Sequence, residues 1–494
     1  FEGVTELVNF TTLTSIDGYQ DNYRLESYLS RARYNYDRKY FVEASFRRDG
    51  SSRFYPDNRW GNFWSLGGSW SVMKEDFMAS LRDKIQSLKL RASYGEVGND
   101  AGVDYYAYMA LYTLNQNANR IAAYKVQNEA KNIKWETTSS FGVAVEGTFF
   151  DRLNATVEYF DKRSKDLLFD VNLPLSAGAT STSSAVATIT QNIGSVSNRG
   201  VELQFDYDVL RKKDLRWNVG LNATFLKNKI VKLPEQNRES GIISGTKKYL
   251  EGHGIYDFWL YQYVGVDQMT GRCLYKPNLE TYYIGDPVEG KTAFPSQWLV
   301  QIGDKYYTTN TTYSERNWSG SAIPDVYGSF TTSLSYKNFD LSAIFTYSIG
   351  GKTIDYSYQS LMSVTASPHA LHTDLLGSWN GVPSGMTESS PNRINPDGLP
   401  VINYELSTYN NATSSRFLQD ASYLVIKNIS LNYTLPSTVA KKLDISDLSL
   451  NLSVENLATI TSLKGMNPQQ SFAGTNNNAF VTARVFSVGL NVKL

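Results

Sequence analysis

No run of about 18 apolar residues occurs anywhere in the 494-residue sequence, so no segment qualifies as a membrane-spanning helix. Cys273 is the single cysteine, which excludes an internal disulfide. Net charge is lacking as well. Lys plus Arg and Asp plus Glu stand at 48 each, a balance that argues against a nucleic-acid binder and against an acidic tail protein. There is no P-loop, no nucleophile elbow, no dinucleotide-binding glycine pattern and no HExxH helix. Of only three histidines, His369 and His372 lie beside Asp374 in a proline-rich stretch without cysteine or helical ligand spacing. They read as ordinary loop residues, so neither a metal nor another cofactor is expected. No set of side chains suggests an enzyme. Phe1-Glu2-Gly3 shows no initiator Met, basic region or apolar core of a signal peptide, so the chain is expected to be the later part of a longer precursor.

What the chain has in quantity is aromatic residues and two-residue alternation. Tyr (34), Phe (23) and Trp (9) make up 13% of the sequence, an enrichment suited to the interfacial girdles of a membrane barrel or to a carbohydrate-binding surface. From Phe63 to Val72, Trp64, Leu66, Trp70 and Val72 share one face, and Phe63, Ser65, Gly67, Ser69 and Ser71 the other. Leu88, Leu90, Ala92 and Tyr94 likewise oppose Lys89, Arg91, Ser93 and Gly95. The cleanest pair sets Val201, Leu203, Phe205 and Tyr207 against Glu202, Gln204, Asp206 and Asp208, then turns through Arg211-Lys212-Lys213 into Trp217, Val219, Leu221, Ala223 and Phe225. One apolar and one hydrated face per strand is the pattern of an all-β, transmembrane antiparallel β-barrel, with about 14 strands in this chain, many of them near the ~9–11 residues that cross a bilayer at a tilt.

The connections sort by length. Short turns are expected at Asp37, Asp151, Arg211, Lys337 and Pro436, on the periplasmic side. Long extracellular loops are expected at 98–132, 170–192, 350–417 and 458–480, with a mixed stretch over 230–324. Lys74 to Ile85 reads as a short amphipathic helix. Val4 to Thr14 and Tyr256 to Asp267 read as strands, and Gln268 to Gly271 as a turn.

Several stretches resemble the SusC/RagA family of TonB-dependent outer-membrane transporters of Bacteroidetes. They include Tyr34-Asn35-Tyr36-Asp37-Arg38-Lys39-Tyr40, Phe46 to Phe54 (FRRDGSSRF), Trp70-Ser71-Val72, Glu75-Asp76-Phe77 and Leu88 to Gly95 (LKLRASYG). Asn198 to Leu203 (NRGVEL), Tyr327-Gly328-Ser329-Phe330, Phe417 to Leu424 (FLQDASYL), Lys427 to Pro436 (KNISLNYTLP) and Arg484 to Leu494 continue the series in order along the chain. Leu494 departs from the aromatic residue that often closes outer-membrane barrels. The resemblance implies that residues 1–494 are the C-terminal part of a barrel of roughly 22 strands, with the plug, N-terminal extension and signal peptide absent from this chain. It implies an integral outer-membrane location and an importer energised through TonB-ExbB-ExbD. It also implies a SusD-like surface lipoprotein as lid, and oligosaccharides or, as the second class, oligopeptides as cargo.

The residues themselves nominate two groups. Glu43, Arg47, Arg91, Glu146, Glu158 and Glu202 fall on hydrated strand faces and are expected to line the lumen wall, some of them meeting the plug. Trp298, Trp318 and Trp379 lie in polar connections and are expected to contact substrate, because a flat aromatic face binds at low entropic cost. Zero net charge and these aromatics favour neutral glycans. A passive porin and a soluble all-β glycan-binding protein remain open on the residues alone.

Overall fold

A computed structural model describes residues 21–117, 120–172, 188–365, 367, 369–469, 473–475 and 481–493. One antiparallel sheet of 13 strands dominates it. In chain order these strands are β1 (Leu25–Tyr36), β2 (Tyr40–Ser51), β3 (Trp60–Ser71), β4 (Ile85–Asn99), β5 (Glu136–Phe149), β6 (Leu153–Asn172) and β7 (Thr188–Arg211). They continue as β8 (Leu215–Lys232), β9 (Val326–Tyr336), β10 (Phe339–Ile349), β11 (Tyr423–Thr434), β12 (Asp447–Thr461) and β13 (Val485–Lys493), each paired with its neighbour in sequence. The expected strand over Val4 to Thr14 lies outside the described residues.

Register makes the wall two-faced. Leu90, Val145, Val157, Leu203 and Ala223 sit opposite one another across five strands. One residue along, Lys89, Glu146, Thr156, Gln204, Asn222, Ser329 and Thr346 make a polar row across seven. Slipping any strand by one residue would bring polar groups into the apolar row, so burial of that row in lipid fixes the register. The apolar row leaves large side chains exposed, among them Trp64, Phe141, Val145, Phe330 and Leu341. Such a surface needs a nonaqueous neighbour.

The connections alternate between two rims. The turns after β1, β5, β7 and β9 are short, and those after β3 and β11 carry brief helical turns. The other six connections lie on the opposite rim, and all of them except 52–59 after β2 are longer. The tight turns use left-handed residues: Asp37 and Arg38 at φ 50° and 52°, Phe150 and Asp151 at 55° and 54°. Two consecutive positive φ values match the turn twist to the twist of the flanking strands.

Three expectations need correction. Lys74 to Ile85 is not an α-helix but two 3₁₀ segments, Val72–Lys74 and Asp76–Leu81. Glu75 breaks the run with extended backbone, and its carboxylate accepts hydrogen bonds from the Tyr40 hydroxyl (2.6 Å) and the Trp70 indole (3.0 Å) and pairs with Lys39. The loop expected from Asp170 to Gln191 is shorter, since β6 runs on to Asn172 and β7 begins at Thr188; Ser and Thr are compatible with strands once a partner ladder exists. Tyr256 to Asp267 is not one strand. It breaks at Gln262 into Asp257–Tyr261 and Tyr263–Asp267, which join different sheets.

The long connections carry the apolar cores. Phe54, Phe63, Val103, Ala107, Ala130, Ile133 and Trp135 cluster above β2–β5. Arg53 lies against both Tyr23 and Tyr105, 5.2 and 4.7 Å from their ring centres, and donates to the Asp100 carbonyl. A second cluster joins Phe258, Leu260, Ala322, Ile354 and Phe417, and a third Val266, Cys273 and Tyr275. The connections 233–325 and 350–422, where the sequence reading placed a mixed stretch over 230–324 and a loop over 350–417, thus form a packed module. It contains a four-stranded sheet through Asp257–Tyr261 and a five-stranded sheet through Tyr263–Asp267.

Candidate functional site

The polar face of the sheet displays charge in matched clusters. Arg91 donates through Nε to Glu146 and through Nη2 to Glu158, both at 2.9 Å, and Lys89 approaches Glu146 at 3.8 Å. Glu43 holds Arg31 and Arg33, the latter at 2.7 Å, and Arg47 pairs with Asp49 at 2.7 Å. Glu202 lies directly opposite Glu158 in register and forms no ion pair among the described residues. Cross-strand register produces these clusters: Arg91 and Glu158 flank the small Ala144, so one guanidinium bridges two strand intervals. Asp206 and Asp208 share the Asn218 amide (3.0 and 3.1 Å).

These pairs are wet. The Arg91, Glu146 and Glu158 side chains keep 35%, 33% and 23% of their exposure. Water screens such pairs, so Arg91→Ala is expected to cost less than about 1 kcal/mol, read as a small shift in the thermal midpoint of the barrel. A loss of several kcal/mol would instead make the cluster a structural clamp.

The three tryptophans are not brought together. Among the described residues no ring contact joins any two of them. Trp298 ends the 3₁₀ turn Ser296–Trp298, its ring 4.9 Å from that of Tyr409. Trp318, on Arg316–Ser321, stacks flat on His253 (3.7 Å, 5°) and meets Trp259 edge-on at 5.0 Å. Trp379 donates its indole N–H to the Gln268 carbonyl (2.8 Å) and covers Gly271. Gly271 has φ +68°, and a Cβ there would lie 2.5 Å from the Trp379 ring, so this tryptophan and this turn need each other. His372 accepts from the Asp374 backbone N–H, and His369 contacts the carbonyls of Ser363 and Ser367.

Sequence reasoning passed over two buried charges in the module. Asp267, fully buried, takes both arms of the Arg393 guanidinium at 2.8 and 3.1 Å across 126 residues of chain. Only the turn after Asp267 was legible. Lys247 is 9% exposed; its ammonium donates to the Tyr256 carbonyl (2.9 Å) and lies 3.1 Å from the Phe258 ring centre. The ring face and the carbonyl favour the cation, but burial opposes it and pushes the pKa down from 10.5 to about 7. Between those two values the unfolded chain holds a proton that the folded module does not. Module stability is therefore expected to rise with pH from about 7 towards 10.5, and the cost of the buried cation is carried in full below that window. Opening free energies at Tyr256–Tyr261 from amide exchange, corrected for intrinsic rates, measure the slope. Lys247→Met should remove it.

Known proteins match this chain along most of its length. The family model described as TonB dependent receptor-like, beta-barrel covers residues 4–457. TonB-dependent receptor P3 of Formosa agariphila is 29% identical over 96% of the chain and 46% of its own length. TonB-dependent receptor SusC of Bacteroides thetaiotaomicron is 27% identical over 96% of the chain and 44% of its own length. Among solved structures, the RagAB peptide transporter superposes with a TM-score of 0.76 at 23% identity, over the whole chain and 50% of its counterpart, which is a likeness of fold. The chain thus spans about half the length of the curated relatives it matches. The chain, a two-faced wall with short turns on one rim and packed connections on the other, is matched by that family model over 4–457 and belongs to the TonB-dependent receptor-like β-barrel family of the bacterial outer membrane.

Proposed function

We propose that this chain is the C-terminal part of the barrel of an energised importer that takes up oligosaccharides through the outer membrane. The observation that carries the reading is the wall itself. Its apolar face suits lipid, and its inner face presents ion-paired, water-accessible charge clusters rather than a closed core. Such a surface suits a hydrated conduit whose plug contacts form and release. The plug and the segment that contacts TonB belong in this reading to the remainder of the protein. TonB-ExbB-ExbD would pull from the periplasm, and opening is a gating motion rather than bond chemistry. A SusD-like surface lipoprotein would cap the packed rim and hold cargo against it.

Balanced charge and the loop aromatics support a neutral glycan. Trp298, Trp318 and Trp379 would serve it partly as supports, since Trp318 already carries His253 on one face and Trp379 is tied to the Gln268 turn. The second reading, import of oligopeptides by the same route, draws on the fold shared with a transporter described as carrying peptides. Native mass spectrometry of the complex purified from its own cells separates the two. Co-purified masses spaced by hexose or similar units are expected. A ladder of peptide masses would transfer the proposal to oligopeptides, and the absence of any cargo together with an open-channel conductance would favour a porin.

A further inference from the structure

Eight buried side-chain atoms lack a hydrogen-bond partner among the described residues, and five of them flank one place in the module. They are Tyr263 Oη, Thr309 Oγ1, Asn410 Nδ2, Ser414 Oγ and Arg416 Nη2. The strands Tyr263–Asp267 and Cys273–Tyr275 meet the segment 407–417 there. Asn410 is 3% exposed; its Oδ1 accepts from the Cys273 backbone N–H (3.1 Å), which leaves its amide nitrogen as an unused donor. Arg416 donates through Nη1 to the Asn410 carbonyl (2.8 Å), and its Cζ lies 5.8 Å from the Tyr263 ring centre. The Tyr263 backbone N–H in turn donates to Ser415 Oγ at 3.0 Å.

No carboxylate contacts Arg416 here, although the charge of Asp397 reaches Tyr263. Arg416 forms no ion pair among the described residues; its guanidinium meets a carbonyl, an amide oxygen, the Cys273 sulfur at 3.8 Å and the Phe417 ring at 4.9 Å. That thiol does not supply the missing negative charge, because burial pushes its pKa up to about 11. The orphaned guanidinium and amide nitrogens can only donate, and the hydroxyls can donate. Leaving several buried donors unmade costs about 1–3 kcal/mol each, and water answers the donors without answering the charge. What satisfies both is a small anion.

We propose that a chloride-sized monovalent anion binds between Arg416 and Asn410, within reach of the Tyr263 hydroxyl. It would pin the 263–275 hairpin of the first long connection to the 407–417 segment of the second. The site is distinct from the lumen clusters and does not depend on the cargo.

Crystals of the full-length protein soaked in sodium bromide test it at the bromine absorption edge. The expected result is an anomalous peak within hydrogen-bonding distance of Arg416 Nη2 and Asn410 Nδ2. In solution, replacing chloride by gluconate at constant ionic strength should lower the thermal midpoint by a few degrees. Arg416→Met should remove that dependence, while Arg416→Lys, which keeps the charge, should retain part of it. Ordered water on these donors without anomalous signal in the wild-type protein would overturn the proposal, whether or not the variants fold.

Discussion

Arg393→Ala is expected to destabilise the outer module by about 3–5 kcal/mol, because it leaves the Asp267 carboxylate buried without its counter-charge. Asp267 has no solvent exposure and Arg393 keeps 9% of its side-chain exposure, so water screens neither. The carboxylate would retain only the Met269 N–H (3.1 Å) and the Thr270 hydroxyl (3.0 Å). Arg393→Lys keeps the charge but not the two-armed geometry, and should fall between wild type and alanine. Limited proteolysis across 262–275 and 388–400, read as cleavage rate against denaturant, gives the comparison. A change under about 1 kcal/mol for Arg393→Ala would mean that the pair is solvated and that the two connections are held elsewhere.

Phe258→Ala is expected to cost a similar amount, about 3–5 kcal/mol, by opening a cavity in the cluster it shares with Leu260, Ala322, Ile354 and Phe417. Phe258 is fully buried, and its ring also lies under the Lys247 ammonium. Two effects should therefore separate. Phe258→Leu refills most of the volume and should cost less, yet it removes the aromatic face as completely as alanine does. Both variants should extend the rise of stability to below pH 7, because the Lys247 cation loses a favourable contact and its pKa falls further. A rise that still begins near pH 7 in Phe258→Leu would show that burial alone sets the proton affinity of Lys247.

The wall was legible in the sequence and the module was not, for one physical reason. Lipid on one side and water on the other force a two-residue period, so Leu203, Phe205 and Tyr207 against Glu202, Gln204 and Asp206 declare a strand without any tertiary knowledge. Turn positions followed within a residue, as at Phe150–Asp151, where the expected turn was Asp151–Arg152. The polar faces of the strands were legible by the same parity, and Arg91, Glu146 and Glu158 do meet on one of them. Their ion pairing was not, because it depends on which strands pair. In the module, Phe258, Ile354 and Phe417 come together from three separate segments with no period to betray them. The pairing of Asp267 with Arg393 spans 126 residues and leaves no local signature. The tryptophans stood out as residue types, but their ties to His253, Tyr409 and Gln268 depend on that same long-range packing.

The most direct test of the importer reading is uptake by living cells. Cells carrying the full-length gene, given the isotopically labelled cargo identified by mass spectrometry, should accumulate it against its gradient. Accumulation should stop when TonB is deleted or the inner-membrane proton gradient is collapsed. Uptake that continues undiminished without TonB, and that only equilibrates the label, would contradict energised import and leave a passive barrel in its place.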